Sequence, residues 1–584
     1  MRILREGDTV SFYGIVCAVS MAICALLTEA LSVFLYREWG LTEVDIRWEF
    51  PFQDYGDTAT PLAFHLAKRL RQSPVAIAER LACEVQKCRG VERCDVAGAG
   101  YVNVWFTSSF LIEELGVVHQ VCSPLPLHCD RAPVIIDYSS PNIAKPLGIH
   151  HILSTIIGQT LGNLYVHAGY PVVRWNYIGD WGTQYGKLAV AYERWGGRRL
   201  PESFTLDELL ALYVRFHEEA ERDVSLESSA QEAFKKLESG DPKLRLIWEA
   251  FVAITKHAND QVYQRLRVHF DVGLGESAYE GKIGSILDEG KRKGVFREGE
   301  RGALIIDFFQ ENLPTAVVLK SDGSTVYFTR DLALMRDRID RWHPSAILHV
   351  VDSAQSLYFQ QLFATARQLQ WEVPHLEHVV FGRMRFADVE MSTRKGTILK
   401  LEHVLDEAVD RAGSVIDQHR DTIQTDDRNA LAEMMGTGAL VYGILSQNRK
   451  MDIIFDWDRF LSFDGNSAPY FQYTYARARS VLRKAGGEGA IANVASLTPT
   501  ERSLVVQLLQ FPSVLQESRD DRMPHKLCQY LYQLCQAYNA FYNVDPILTA
   551  TSSVRDMRLF FTSCTASVLR TGAGLLTLQV PDRM

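Results

Sequence analysis

A short apolar run, Val134-Ile135-Ile136, leads through Asp137 into a loop of Ser139, Ser140, Pro141, Asn142, Ile143, Ala144, Lys145 and Pro146. Beyond it a helical stretch opens with His150 and His151. A strand that feeds a tight loop and then a helix N-terminus is a natural anion site. Free backbone N–H groups and the positive end of the helix dipole face the ligand there. Neither GxxxxGK[ST] nor GxGxxG occurs, so no P-loop or dinucleotide fingerprint explains the loop. Taken alone, two histidines at a helix start are more often a cap or a surface feature than a phosphate ligand.

The loop needs a frame, and the flanking residues predict one. Val134 to Ile136 suits a buried parallel strand. Ile149 to Ala168 reads as a helix, with apolar residues at 149, 152, 153, 156 and 164 and a stop at Gly169. Pro171 to Ile178 returns to strand. Strand, loop, helix, strand is the βαβ unit of a doubly wound sheet. Residues from about 187 to 265 are charged and helical in period, and the helical insertion they belong to is expected to span about 187–300. Strand-like runs resume at Ala303 to Phe308, Val326 to Thr329, Ala346 to Val351 and His378 to Phe381, so the nucleotide-binding sheet is split. The first block combines a helical stretch, Thr60 to Leu81, with strand-like runs at Val91 to Val96 and Tyr101 to Phe106, as in a small α+β domain. The expected fold class is α/β. It comprises an N-terminal α+β domain over 1–115, a Rossmann-like parallel catalytic domain over 130–400, and an all-α domain over 401–584.

Bulk properties constrain function only loosely. The 584 residues are 47% hydrophobic and 23% charged, with a net charge of -9, so global charge does not point to nucleic acid. Residues 440 to 584 carry 15 Lys+Arg against 12 Asp+Glu, a mild basic shift. The ten cysteines include no CxxC pair and no zinc-finger spacing, so reduced core thiols and no protein-bound zinc are expected. Thr9 to Thr28 is uncharged. It can be read as a signal peptide, a marginal membrane span or, the favoured reading, part of a buried helix, with Met21 as an alternative start.

Larger motifs narrow the choice. DYSSPNIAKPL at 137–147, LSTIIG at 153–158 and GDWGTQYGKL at 179–188 are followed by LGES at 274–277, YFTRDLA at 327–333, VVDSAQ at 350–355 and MSTRKG at 391–396. GDTAT at 56–60 precedes them; FDWDR at 455–459, PYFQYTYAR at 469–477 and a terminal PDRM follow. In order and separation they resemble arginyl-tRNA synthetases, which are class I enzymes, over nearly the whole chain. The resemblance implies two steps. The carboxylate of L-arginine attacks the α-phosphate of ATP to give arginyl-adenylate and pyrophosphate; a terminal ribose hydroxyl of tRNA(Arg) then takes the arginyl group and AMP leaves. Mg2+ accompanies the ATP. The resemblance further implies a cytoplasmic monomer with no membrane partner and a C-terminal domain that binds the anticodon.

Roles carry over residue by residue. The first class I motif, usually HxGH, aligns with Gly148-Ile149-His150-His151. His151 is retained, but Gly148 and His150 replace the usual first histidine and glycine. Two positions turn about 200° around a helix, so His150 is not a simple substitute. One lost charge-assisted hydrogen bond costs roughly 1.5–3 kcal/mol, up to about a hundredfold in rate. A weakened or rebuilt adenine pocket is expected, not a dead enzyme. The second motif, usually KMSK, aligns with Met391, Ser392, Arg394 and Lys395 and lacks its first lysine, which Lys145 is then expected to replace. The arginine guanidinium calls for carboxylates. Asp331, Tyr327 one helical turn earlier, and Glu276 match that need, while Asp137, Ser140, Asn142 and Gln355 match positions that hold the substrate's amine and carboxylate. For RNA the candidates are Tyr470, Tyr473, Arg477, Tyr538 and Tyr542, with Tyr475 and Arg479 beside them and Asn103 and Trp105 in the first block. Two alternatives stay open: a paralogue that binds tRNA or nucleotide without charging, and a synthetase-like ligase with another acceptor.

Overall fold

The computed structural model describes residues 22–51, 55–128, 130–386, 399–420, 423, 425–492 and 496–584. At its centre lies a four-stranded sheet whose order is His375–Phe381, Ala346–Asp352, Val134–Asp137, Val172–Trp175. All three pairings are parallel. Val134, Ile135 and Ile136 are buried on both faces, which is why that strand reads as an unbroken apolar run. The helix His151–His167 makes the crossover to the next strand and buries almost its whole circumference. The predicted βαβ unit is therefore present, starting two residues later than the periodicity suggests.

Two of the later strand-like runs join this sheet and two do not. Leu304–Phe308 lies in a separate antiparallel sheet, between Arg297–Glu298 and Leu313–Leu319. Val326–Thr329 is a helix start. Val326 is extended at the N-cap, and Tyr327–Trp342 then buries Phe328, Leu332, Met335 and Ile339, an apolar spacing of three to four that overrides the β-branched local composition.

The inserted helices are Thr183–Trp195, Leu206–Ala220, Ser225–Glu238 and Pro242–Arg265, packed on cores of their own around Phe216, Phe251 and Trp181. Helical structure thus pauses at Arg265, within the predicted 187–300. Past Arg265 the chain returns to the sheet edge, where Val272 pairs with Trp175 and Gly275 with Ile178, both parallel. Glu276 emerges from that edge.

Ahead of the catalytic unit, Thr58–Thr60, Tyr101–Phe106 and Val91–Ala97 form an antiparallel sheet. The single helix expected over Thr60–Leu81 is two, Leu62–Leu70 and Pro74–Val85. Arg71 is left-handed between them, and Ser73 caps the second with Pro74 at its first position. Ala22–Trp39 sends Leu27, Leu31, Phe34 and Leu35 into this block's core, so the C-terminal part of the uncharged stretch belongs to a folded helix. Residues 1–21 lie outside the described part, and no described helix is long and apolar enough to cross a membrane. From Leu401 to Leu575 the chain is mostly helical.

One ion pair joins the two ends of the chain. The buried carboxylate of Asp57 receives both Nε (2.7 Å) and Nη2 (2.5 Å) of Arg502 and the Phe106 N–H (2.7 Å). Breaking such a pair costs on the order of 3 kcal/mol, because the remaining charge is left without its partner. Asp57→Ala should loosen the N-terminal block. Limited proteolysis should then cleave the largely exposed connector over 123–127 at least about tenfold faster; an unchanged rate would show that the pair does not hold the block in place.

Candidate active site

The loop after Val134–Asp137 is held against its own preferences. Ser139, Ser140 and Ala144 have φ values of 73°, 48° and 57°, in the left-handed region that non-glycine residues avoid. Hydrogen bonds from two helices and from Asn176, just past the strand Val172–Trp175, over-determine them. Ser139 N–H donates to Ser154 Oγ (2.9 Å), and Ser139 Oγ accepts from Thr155 Oγ1 (3.0 Å) and meets Tyr263 Oη (2.8 Å). Ser140 N–H donates to Asn176 Oδ1 (3.1 Å), and Ala144 N–H donates to Thr255 Oγ1 (3.0 Å). Asn142 is exposed, and its backbone pairs with Gly179. A Cβ at Gly179 would lie 2.1 Å from Asn142 Oδ1, so a larger residue there would have to turn the Asn142 side chain aside.

At the helix start, His151 Nδ1 lies 3.0 Å from the Gly148 N–H and 3.3 Å from the Gly148 carbonyl. The shorter contact makes Nδ1 the acceptor and leaves Nε2 to carry the proton. Burial, reinforced by neighbouring His150, pushes the His151 pKa down to about 3, so the ring is a neutral donor at working pH. His150 is an exposed residue at the N-cap position, its ring centroid 4.0 Å from that of His151. Gly148 is buried in an antiparallel bridge with Lys400, between the hydrogen bonds Leu401 N–H to Leu147 O (2.8 Å) and Ile149 N–H to Leu399 O (2.9 Å). Lys145 is half-buried, with burial lowering its pKa. Met391, Ser392, Arg394 and Lys395 lie outside the described residues.

A second cluster gathers where the sheet edge meets the helix Tyr327–Trp342. Glu276 is 8% exposed, and its Oε2 accepts from Arg330 Nη1 at a long 3.5 Å. Burial, then the charge of Asp331, pushes its pKa up to about 8 although Arg330 opposes them. Burial raises Asp331 to about 6 despite the hydrogen bond it accepts from Tyr358 Oη. Asp180, which accepts from Ser277 N–H (2.9 Å) and Oγ (2.7 Å), is also raised, chiefly by burial. Gly275 makes room for it, since a Cβ there would sit 2.1 Å from the Asp180 carboxyl carbon. Tyr327 is 57% exposed, and burial of part of its ring, then the charge of Glu276, raises its pKa. Asp137 differs from its neighbours. Burial works against its charge, but Arg338 Nη2 at 2.7 Å and His349 outweigh it and hold the pKa below the usual range. Arg338 is fully buried over the Trp175 ring, 4.5 Å from its centroid.

The structure thus brings Asp137, Glu276, Tyr327 and Asp331 into one electrostatic unit and puts Ser140 and Asn142 on the adjoining loop. Gln355 lies exposed in the turn after Ala346–Asp352. Sequence reasoning missed Asp180, Arg330, Arg338, His349 and Tyr358. Arg338 follows Asp331 by seven residues, two helical turns, and Asp180 sits inside GDWG, so spacing carries a signal for both. Nothing local marks His349 or Tyr358.

In the helical block a cleft of about 1360 Å³ is lined by Arg420, Arg428, Tyr473, Arg477, Lys484 and Tyr542 among others. Tyr470, Tyr473 and Arg477 also line an adjoining cavity of about 410 Å³. Arg477 lies 4.9 Å from the Tyr473 ring centroid and 5.0 Å from that of Tyr542. Two expected contacts are corrected. Tyr538 and Tyr475 are core residues, 0% and 1% exposed, because each faces the packed side of its helix. Asn103 is likewise buried in its strand, and Trp105 is covered by Arg93 at 3.9 Å.

This parallel sheet, with its anion loop, helical insertion and trailing helical block, is of the class I aminoacyl-tRNA synthetase type. Residues 123–457 match the family model described as the class I (R) tRNA synthetase catalytic domain. Residues 471–584 match the DALR anticodon binding domain, and 21–106 the arginyl tRNA synthetase N terminal domain. The chain belongs to the arginyl-tRNA synthetase family. It is 36% identical over 544 residues to an arginine–tRNA ligase of Alkaliphilus metalliredigens, covering 91% of this chain and 94% of the relative. A Clostridioides difficile relative of the same name is 37% identical over 542 residues, with the same coverage. Among solved structures, the Thermus thermophilus arginyl-tRNA synthetase superposes with a TM-score of 0.82 at 26% identity, covering 96% of this chain and 100% of that one.

Backbone hydrogen bonds from its neighbours to Leu399 and Leu401 fix Gly148 in the bridge with Lys400, a local frame for the start of the motif. The double variant Gly148→His with His150→Gly should gain no ATP–pyrophosphate exchange activity; a rise in kcat would show that the motif is impaired and not rebuilt.

Proposed function

We propose that Glu276 and Asp331 hold the guanidinium of L-arginine, with Tyr327 at the mouth, and that Asp137, Ser140, Asn142 and Gln355 hold its amine and carboxylate. The chain is an arginine–tRNA ligase. The arginine carboxylate attacks the α-phosphate of ATP, the bond to the bridging oxygen breaks, and pyrophosphate leaves. A ribose hydroxyl of the tRNA 3′ end then attacks the arginyl carbonyl, and AMP leaves with the electron pair of the broken mixed anhydride. Mg2+ arrives with ATP as substrate.

The observation that carries the pocket assignment is the excess of carboxylates. Glu276 has only its long contact to Arg330, neither Asp180 nor Asp331 forms an ion pair among the described residues, and burial raises all three. A cation entering that space restores ionisation of the carboxylates it touches. A planar guanidinium adds paired donors that an ammonium lacks, which favours arginine over lysine.

On the phosphate side, the neutral His151 offers an Nε2–H at the start of the helix, and Lys145 supplies the positive charge that the altered second motif lacks. Such groups stabilise charge as it develops on the phosphate and leaving group. Met391, Ser392, Arg394 and Lys395 complete this reading from the family pattern. The tRNA runs from the N-terminal block, at its corner, to the helical block. There Tyr470, Tyr473, Arg477 and Tyr542 stack on and pair with anticodon bases. The enzyme works as a cytoplasmic monomer.

Asp331→Asn should raise the KM for arginine by roughly 10- to 100-fold, the worth of a charge-assisted hydrogen bond, with the KM for ATP within about twofold. An unchanged KM for arginine would remove Asp331 from the pocket.

A further inference from the structure

The insertion borders the cluster that would hold arginine, where Trp248 Nε1 donates to the Asp180 carbonyl (2.8 Å), and another of its helices touches chain segments flanking both ATP motifs. Leu206–Ala220 starts at a capping box formed by Thr205 and Glu208. In its first turn Asp207 binds Lys400 Nζ through both carboxylate oxygens, at 2.6 and 2.7 Å. Lys400 is the residue whose backbone bridges Gly148 of the first motif, and it follows the MSTRKG segment by four residues. Nearly two turns on, the ring of Tyr213 lies under Lys145, with Nζ 4.8 Å from its centroid.

The loop that bears Lys145 is fastened to the same body. Ala144, left-handed at φ 57°, is buried in the apolar cluster of Leu212 and Phe216, and Thr255 Oγ1 accepts its N–H. Lys145 therefore leaves a rigid base. Among the described residues no carboxylate forms an ion pair with it, and its amine is already partly desolvated, which lowers its pKa.

The identity of the partner decides what the contact can do. A carboxylate would neutralise the ammonium and occupy its donors. An aromatic face attracts the charge by roughly 0.5–2 kcal/mol, restricts where the long side chain goes, and leaves the three N–H donors free for phosphate oxygens.

We propose that Tyr213 is a positioning residue for activation: its ring seats the Lys145 ammonium beside the phosphate loop, so that the helical insertion sets the geometry of the catalytic cation. This rests on the assignment of Lys145 to the ATP phosphates, and the test separates the two. ATP–pyrophosphate exchange is measured with tRNA present for Tyr213→Leu, Tyr213→Phe, Lys145→Gln and the double variant Tyr213→Leu/Lys145→Gln. Tyr213→Leu should lower kcat by about 2- to 30-fold, the kinetic equivalent of a cation–π contact. The KM for arginine should stay within about twofold, a split that general damage to the fold would not produce. Tyr213→Phe, which keeps the ring, should retain near-full kcat. In the Lys145→Gln background, Tyr213→Leu should cost nothing further. If Lys145→Gln is strongly impaired while Tyr213→Leu keeps full kcat, or if Tyr213→Leu is equally harmful without Lys145, the positioning role is overturned. If Lys145→Gln is itself fully active, the phosphate role of Lys145 is what fails, and the role of Tyr213 falls with it.

Discussion

Glu276, Asp331 and Asp180 are three largely buried carboxyl groups, and among the described residues the one guanidinium that bonds to any of them is Arg330, at a long 3.5 Å from Glu276. Burial disfavours their charged forms, and neighbouring carboxylates (Asp331 for Glu276, Asp137 for Asp331) add to it, so the pKa values of Glu276 and Asp331 rise to about 8 and 6. The free protein meets this imbalance by keeping protons on carboxyl groups. A guanidinium of the right shape displaces those protons and restores the charges. Asp137 lies against the same helix yet escapes the problem, because Arg338 is built in as its permanent counter-charge. The helix Tyr327–Trp342 therefore ion-pairs an internal arginine with Asp137, while Asp331 feels that charge but forms no ion pair among the described residues and accepts from Tyr358 Oη instead.

Much of the fold serves to bring these groups together from distant parts of the chain. Glu276 reaches the cluster because the chain, after the inserted helices, pairs Val272 and Gly275 with the edge of the sheet. The loop after Val134–Asp137 is held in its strained shape in part because Tyr263 and Thr255, both on the last inserted helix, bond to it. The insertion is thus the clamp that holds the loop and delivers the chain to the second carboxylate. Asp57 and Arg502 do comparable work at larger scale, joining the N-terminal block to the helical block.

The sequence made the βαβ unit legible because a doubly buried strand must be apolar and a helix stop needs its glycine. It made Asp331 and Tyr327 legible because four residues on a helix are one turn. What failed has equally physical reasons. Val326 and Thr329 look like strand until Phe328, Leu332 and Met335 are seen to share one buried face. Tyr538 looks like a base-stacking residue because composition does not say which side of a helix faces solvent. His349 and Tyr358 join the site through contacts between elements far apart in sequence, for which no local pattern exists.

The central claim is that arginine binds by displacing a proton from a crowded carboxylate. Calorimetric titration of L-arginine at pH 7, in buffers of differing ionisation enthalpy, measures this directly. A carboxyl with a pKa of about 8 is mostly protonated at pH 7, so binding should release close to one proton. The release should fade toward pH 9, where Glu276 is already ionised, and should disappear in Glu276→Gln. Binding without proton release at pH 7 would mean that Glu276 is ionised before arginine arrives or does not meet it, and would contradict the account.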